Sequence, residues 1–209
     1  MSYVDRIRWS GLAAMFGGVL WTLSWILVSF TEDGTRSVLG LSEHGWRTAL
    51  LNPAMLLFMA GLAGFHARQA GQSGRLGRTG FAVCLLSTGT MLLGNVVEFW
   101  VSEYFYGTQR PGWVMMGVGL MMLPAGFVLL GIGTLRARVL TGWRRAVPLG
   151  FGLTLALLVI VLMALIVWTG SQPSVEGVFG AILVIALGWA ALGYALWSEK
   201  AESSNMPTG

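Results

Sequence analysis

Cys84, Thr88, Met91, Asn95, Glu98 and Ser102 follow one another at intervals of four, three, four, three and four residues. On an α-helix that spacing puts all six on one side. Most of the residues between them are apolar, so the helix carries a polar face. An ionisable group facing lipid costs about 2.5–3.5 kcal/mol at mid-membrane on insertion scales, so the stripe should turn toward other helices. Glu98 is its one acid. A carboxyl in that position can bind a cationic or hydrogen-bonding ligand, or take up and release a proton. It can equally fix helix register by pairing with an arginine while Asn95 bonds a neighbouring helix, since interhelical bonds of this kind hold many membrane bundles together.

Counting 1.5 Å per residue from Gly80, Glu98 lies about a turn short of the far boundary of its segment. Arg47 and Asn52 enter the preceding segment from that side, His44 sits in the loop before it, and Arg110 opens the following segment. The candidate ligand-binding set is therefore Glu98, Asn95, Asn52, Arg47, Arg110 and His44, around a cavity facing outward. No residue earns a catalytic role. There is no G-x-S-x-G, H-E-x-x-H or P-loop pattern, and no second embedded titratable group beside Glu98. No metal or cofactor is expected either. Cys84 is the only cysteine, His44 and His66 belong to opposite ends, and Met55, Met59, Met91 and Met121 suit flexible apolar packing better than a soft-metal path.

The elements that must position these groups are apolar helices. The 209 residues are 55% hydrophobic and 11% charged, with mean hydropathy +0.71, too apolar to cover a soluble globule. A spanning helix needs about 20 such residues. Six segments qualify, at roughly 11–30, 48–66, 80–102, 113–135, 146–169 and 177–197. They are about twice the length of a barrel strand, so the expected fold is all-α: a polytopic transmembrane bundle of six helices filling residues 1–200. Residues 201–209 (AESSNMPTG) have nothing to bury and should form a disordered cytoplasmic tail. Pro53 is tolerated in a first helical turn, which predicts that the second helix starts near Asn52. Pro124 should kink the fourth. Residues 31–46 can form a surface helix through Val38, Leu39 and Leu41, or an irregular loop.

Lysine and arginine sort by side. Arg6, Arg8, Arg68, Arg75, Arg78, Arg136, Arg138, Arg144, Arg145 and Lys200 fall at one end of the spans, against Arg36, Arg47 and Arg110 at the other. Basic residues mark the cytoplasmic side, so both termini should be cytoplasmic, and the even number of spans agrees. The basic balance thus reflects topology, and no nucleic-acid partner is expected. Trp46, Trp100, Trp113 and Trp168 near one boundary, with Trp9, Trp143 and Trp197 near the other, read as interfacial belts. Small residues four apart (Ala60 with Gly64, Thr90 with Gly94, Gly177 with Ala181, Ala186 with Ala190) read as packing seams. Odd spans open alike at Gly11, Gly80 and Gly150, and even spans close alike at Gly61, Gly131 and Gly193, which hints at three repeated helical hairpins.

The strings NVVEFW and GIGTLRARVLTGWRRA resemble those of a broad set of uncharacterised bacterial multi-helix membrane proteins. The resemblance implies an inner-membrane protein and carries no assigned activity. Of the functions open to such a chain, a non-catalytic module fits the residues best. It would bind a lipophilic ligand or a membrane-protein partner at the polar pocket, as monomer or oligomer, within the lipid bilayer. A proton- or cation-coupled transporter would need polarity continuing through the bilayer centre, and the inner halves of the first, fifth and sixth segments are nearly free of it. An intramembrane lipid-modifying enzyme would need a second acid or base.

Overall fold

A computed structural model describes residues 3–31, 37–69, 72, 74–101, 111–138, 140–170 and 175–198. Six long helices account for nearly all of them: α1 (Tyr3–Ser29), α2 (Glu43–Arg68), α3 (Gly74–Val101), α4 (Pro111–Ala137), α5 (Gly142–Thr169) and α6 (Val175–Trp197). All six are long and apolar enough to cross a membrane. α4 runs on without a break through the buried Pro124. The 201–209 tail lies outside the described residues.

α2 begins nine residues before the expected start at Asn52. Ser42 caps it, its Oγ accepting from the Gly45 N–H at 3.4 Å. Over Arg47–Leu51 the helix widens into a π-turn, in which the Asn52 N–H bonds the Arg47 carbonyl five residues back. Pro53 is the physical reason. Its ring would press on the carbonyl one α-turn earlier, and it has no N–H to offer that carbonyl. A wider turn upstream accommodates it without ending the helix. The surface helix considered for 31–46 does not form around Val38 and Leu41. Those two residues close a tight turn through reciprocal backbone bonds of 3.1 and 3.0 Å, with Leu39 exposed at its tip.

Each helix packs on its chain neighbours, and α6 closes the ring onto α1. Lipid gives no hydrophobic drive for this, so close van der Waals approach must supply it. The α3–α4 seam is the most extensive contact and has a seven-residue rhythm. Gly112, Gly119 and Gly126 of α4 face Glu98, Met91 and Cys84 of α3, in antiparallel order. A Cβ added at Gly119 would stand 2.6 Å from Met91 Cγ, and one at Gly126 would stand 2.7 Å from Cys84 Sγ. In return Gly80 and Gly94 of α3 receive Leu130 and Met116 of α4. The stripe read from the sequence therefore divides. Cys84, Met91 and Glu98 address α4, whereas Asn95 reaches α2.

α1 meets α6 in a similar way, Gly11 against Gly193 and Gly18 against Ala186. Glycines in matching positions of the hairpins do not make matching contacts, however. Gly11 packs on α6 and Gly80 on α4, whereas a side chain at Gly150 would meet no other element within 4 Å. Aromatic rings fill the middle of the ring of helices. Phe58 stacks on Trp189 at 4.2 Å with planes 7° apart, Phe127 meets Trp189 at 5.4 Å, and Phe151 meets Phe127 at 4.6 Å. Beyond Leu155, α5 has no buried residue.

The seam generates a contrast that can be measured. Gly119→Leu should destabilise the protein by about 1–3 kcal/mol, the usual range for forcing extra volume into a packed contact. Gly117→Leu, at a site with nothing within 4 Å, should leave the thermal midpoint in detergent within a degree or two of wild type.

Candidate functional site

Glu98 lies in a second π-turn, Val97–Val101, at the end of α3. It is buried, and its Oε2 accepts from the backbone N–H of Trp113 at 3.2 Å. Trp113 is in the first turn of α4, where N–H groups have no intrahelical partner and where the helix dipole favours negative charge. Pro111, which opens α4, brings no N–H of its own. Gly112 follows, and a side chain there would collide with Glu98 Cβ and the Glu98 backbone. Carboxylate and glycine thus act together: the missing side chain brings α3 close enough for its acid to cap α4.

Arg47 is the cation of this end among the described residues, and it is 3% exposed. Its Nε donates to Glu43 Oε1 at 2.9 Å, one turn back on the same helix. Three rings surround its guanidinium: Trp25 of α1 at 4.7 Å, Phe99 of α3 at 5.0 Å and Trp113 of α4 at 5.2 Å from Cζ. A desolvated cation over an aromatic face gains about 2 kcal/mol or more. One side chain of α2 therefore engages all three of the other helices that meet here.

Of the six residues expected to converge, Asn52 and Asn95 bond directly, Asn95 Nδ2 donating to Asn52 Oδ1 at 2.7 Å. Glu98 and Arg47 both reach Trp113. His44 is exposed and meets Phe99 edge-on at 4.9 Å. Arg110 lies outside the described residues. Sequence reasoning missed Glu43, Trp25, Phe99 and Trp113. Glu43 precedes Arg47 by four residues, an ion-pair spacing that was open to reading once α2 was known to start there. Trp113, placed in an interfacial belt, is half-buried and joins the Glu98 and Arg47 contacts instead. Of the other belt residues Trp168, Trp9, Trp143 and Trp100 are strongly exposed, whereas Trp46 is half-buried.

Beside the cluster lies an open groove of about 570 Å³. Ser42, His44, Thr48 and Ala49 of α2 and its cap form one side, with Phe99 and Trp100 of α3 on the other. Trp100 Nε1 donates to Thr48 Oγ1 at 3.2 Å across it. Phe99 serves both places, lining the groove and packing on Arg47. No protein-family model, curated protein or solved structure matches this chain. What the arrangement can do must be read from its own atoms. Among the described residues no group of His, Cys, Asp and Glu could hold a metal ion. The cluster offers an enclosed charge lattice, and the groove offers an aromatic wall facing hydroxyls and an imidazole.

Glu98→Gln keeps an acceptor for the Trp113 N–H but loses the charge, so it should cost about 1 kcal/mol, while Glu98→Ala should cost about 1–3 kcal/mol by leaving that N–H unmet. Reversible unfolding in mixed micelles ranks the two. Equal losses would show that the capping bond contributes nothing.

Proposed function

We propose that this chain is a multi-pass protein of the bacterial inner membrane, with both termini cytoplasmic, that binds a lipophilic ligand without transforming it. The binding place is the groove between the start of α2 and the end of α3. The observation that carries the reading is the division of labour at this end of the bundle. Glu98, Arg47 and Glu43 hold protein partners, whereas the adjoining groove sets Phe99 and Trp100 against Ser42, His44 and Thr48. An apolar wall with a few polar groups is the usual make-up of a small-molecule site. A ligand with an apolar body and a polar tip fits both sides, and the bilayer would deliver it laterally.

Glu98 then acts on the ligand only through position, by setting where α3 ends and hence where Phe99 and Trp100 stand. Coupled transport draws less support, because Phe58, Phe127, Phe151 and Trp189 occupy the bundle centre where a polar path would run. Lipid-modifying chemistry would need an acid and a base side by side at the groove, and among the described residues lining it His44 is the one acid or base group.

Native mass spectrometry of protein purified with its lipid should show a retained small molecule. Ala49→Trp, which fills the groove from an exposed position, should abolish that adduct with the thermal midpoint unchanged. The same adduct on wild type and Ala49→Trp would overturn the assignment.

A further inference from the structure

At the opposite end of the bundle, where α1 begins and α6 finishes, charge is strongly one-sided. Arg6, Arg8, Arg68, Arg75, Arg78, Arg136, Arg138, Arg144 and Arg145 all project from helix ends or turns there. The four chain segments that border this end contain three acids, Asp5, Glu199 and Glu202. The Arg47–Glu43 salt bridge lies at the far end. Arg8 makes no ion pair among the described residues. Its guanidinium lies over the Trp197 ring of α6, 5.8 Å from the centroid. Beside it is a cleft of about 200 Å³, lined by Asp5, Arg8, Trp9, Leu12 and Trp197. Trp9 is 61% exposed and Trp197 39%.

We propose that this cleft between α1 and α6 is a binding site for an anionic phospholipid, with Arg8 taking the phosphate. The charge excess calls for anions, and the cleft combines a cation with two indoles and a leucine at the depth where headgroup gives way to acyl chain. Tryptophan is favoured at that boundary, and each basic residue near an anionic surface contributes about 1 kcal/mol. Trp197 orients the guanidinium from below, leaving its edge N–H groups for phosphate oxygens, which the planar fork of arginine matches better than lysine does. Asp5 sets a limit at the cleft, repelling a second negative charge, so a headgroup of single net charge is the better fit.

The test uses full-length protein stripped of lipid in a neutral detergent, titrated with phosphatidylglycerol or with phosphatidylcholine of the same chains and read by native mass spectrometry. The first phosphatidylglycerol should bind about tenfold more tightly than phosphatidylcholine. Arg8→Gln should weaken phosphatidylglycerol about fivefold and leave phosphatidylcholine unchanged, with Arg8→Lys in between and Arg75→Gln close to wild type. Equal affinity for the two lipids, or an Arg8→Gln titration that overlays wild type, would overturn the proposal. Displacement of the lipid by millimolar inorganic phosphate would also overturn it, by reducing the site to a plain anion site.

Discussion

A carboxylate placed among apolar helices must be given donors, and the fold around Glu98 follows from how that need is met. One donor is a backbone N–H in the first turn of α4, a group the helix itself leaves unpaired. Reaching it requires the α3 and α4 backbones to come nearly into contact, which Gly112 permits and any larger residue would prevent. From that point the two helices run antiparallel with their knobs and glycine holes in step as far as Leu130 against Gly80. The acid is thus the last tooth of a long seam, and it aligns the teeth before it.

Arg47 solves the complementary problem on α2. A guanidinium that is almost fully withdrawn from solvent needs both a counter-charge and a polarisable enclosure. Glu43 supplies the first, and Trp25, Phe99 and Trp113 supply the second. The residues come from four helices, so the charge ties them at one level of the bundle. Two π-turns, Arg47–Leu51 and Val97–Val101, fall at this level, the first holding Arg47 and the second Glu98 and Phe99. Each departs from the α-helical pitch where side chains must be aimed at neighbours rather than along the regular stripe, which is where such turns commonly occur.

The six helices were legible in the sequence because length and hydropathy alone decide them. The polar stripe of α3 was legible too, since helical spacing groups its members whatever they touch. Its division between two neighbours was not, because periodicity gives a face and not a partner. Gly112, Gly119, Gly126 and Gly133 recur every seven residues in the sequence, whereas the pairs that read as packing seams stand four apart. Ala60 from one of those pairs is exposed, while Gly64 packs on Ser10 and Gly94 on Met116. The start of α2 was misplaced because Pro53 reads as a helix opener, and no local signal tells a first turn from a π-turn. Trp113 and Trp25 were hidden for a related reason: an interfacial tryptophan and one enclosing a cation differ only in what stands above the ring.

The seven-residue beat of α3 and α4 also governs how such a pair can change in length. Adding one residue to either helix would rotate every later knob out of its hole, by about 100°. Only seven residues added to both together would restore the fit, a step of about 10 Å along each axis. A bilayer's thickness varies among membranes by only a few ångströms. Descendants of this pair would therefore meet a thicker or thinner membrane by leaning, with the seam unaltered.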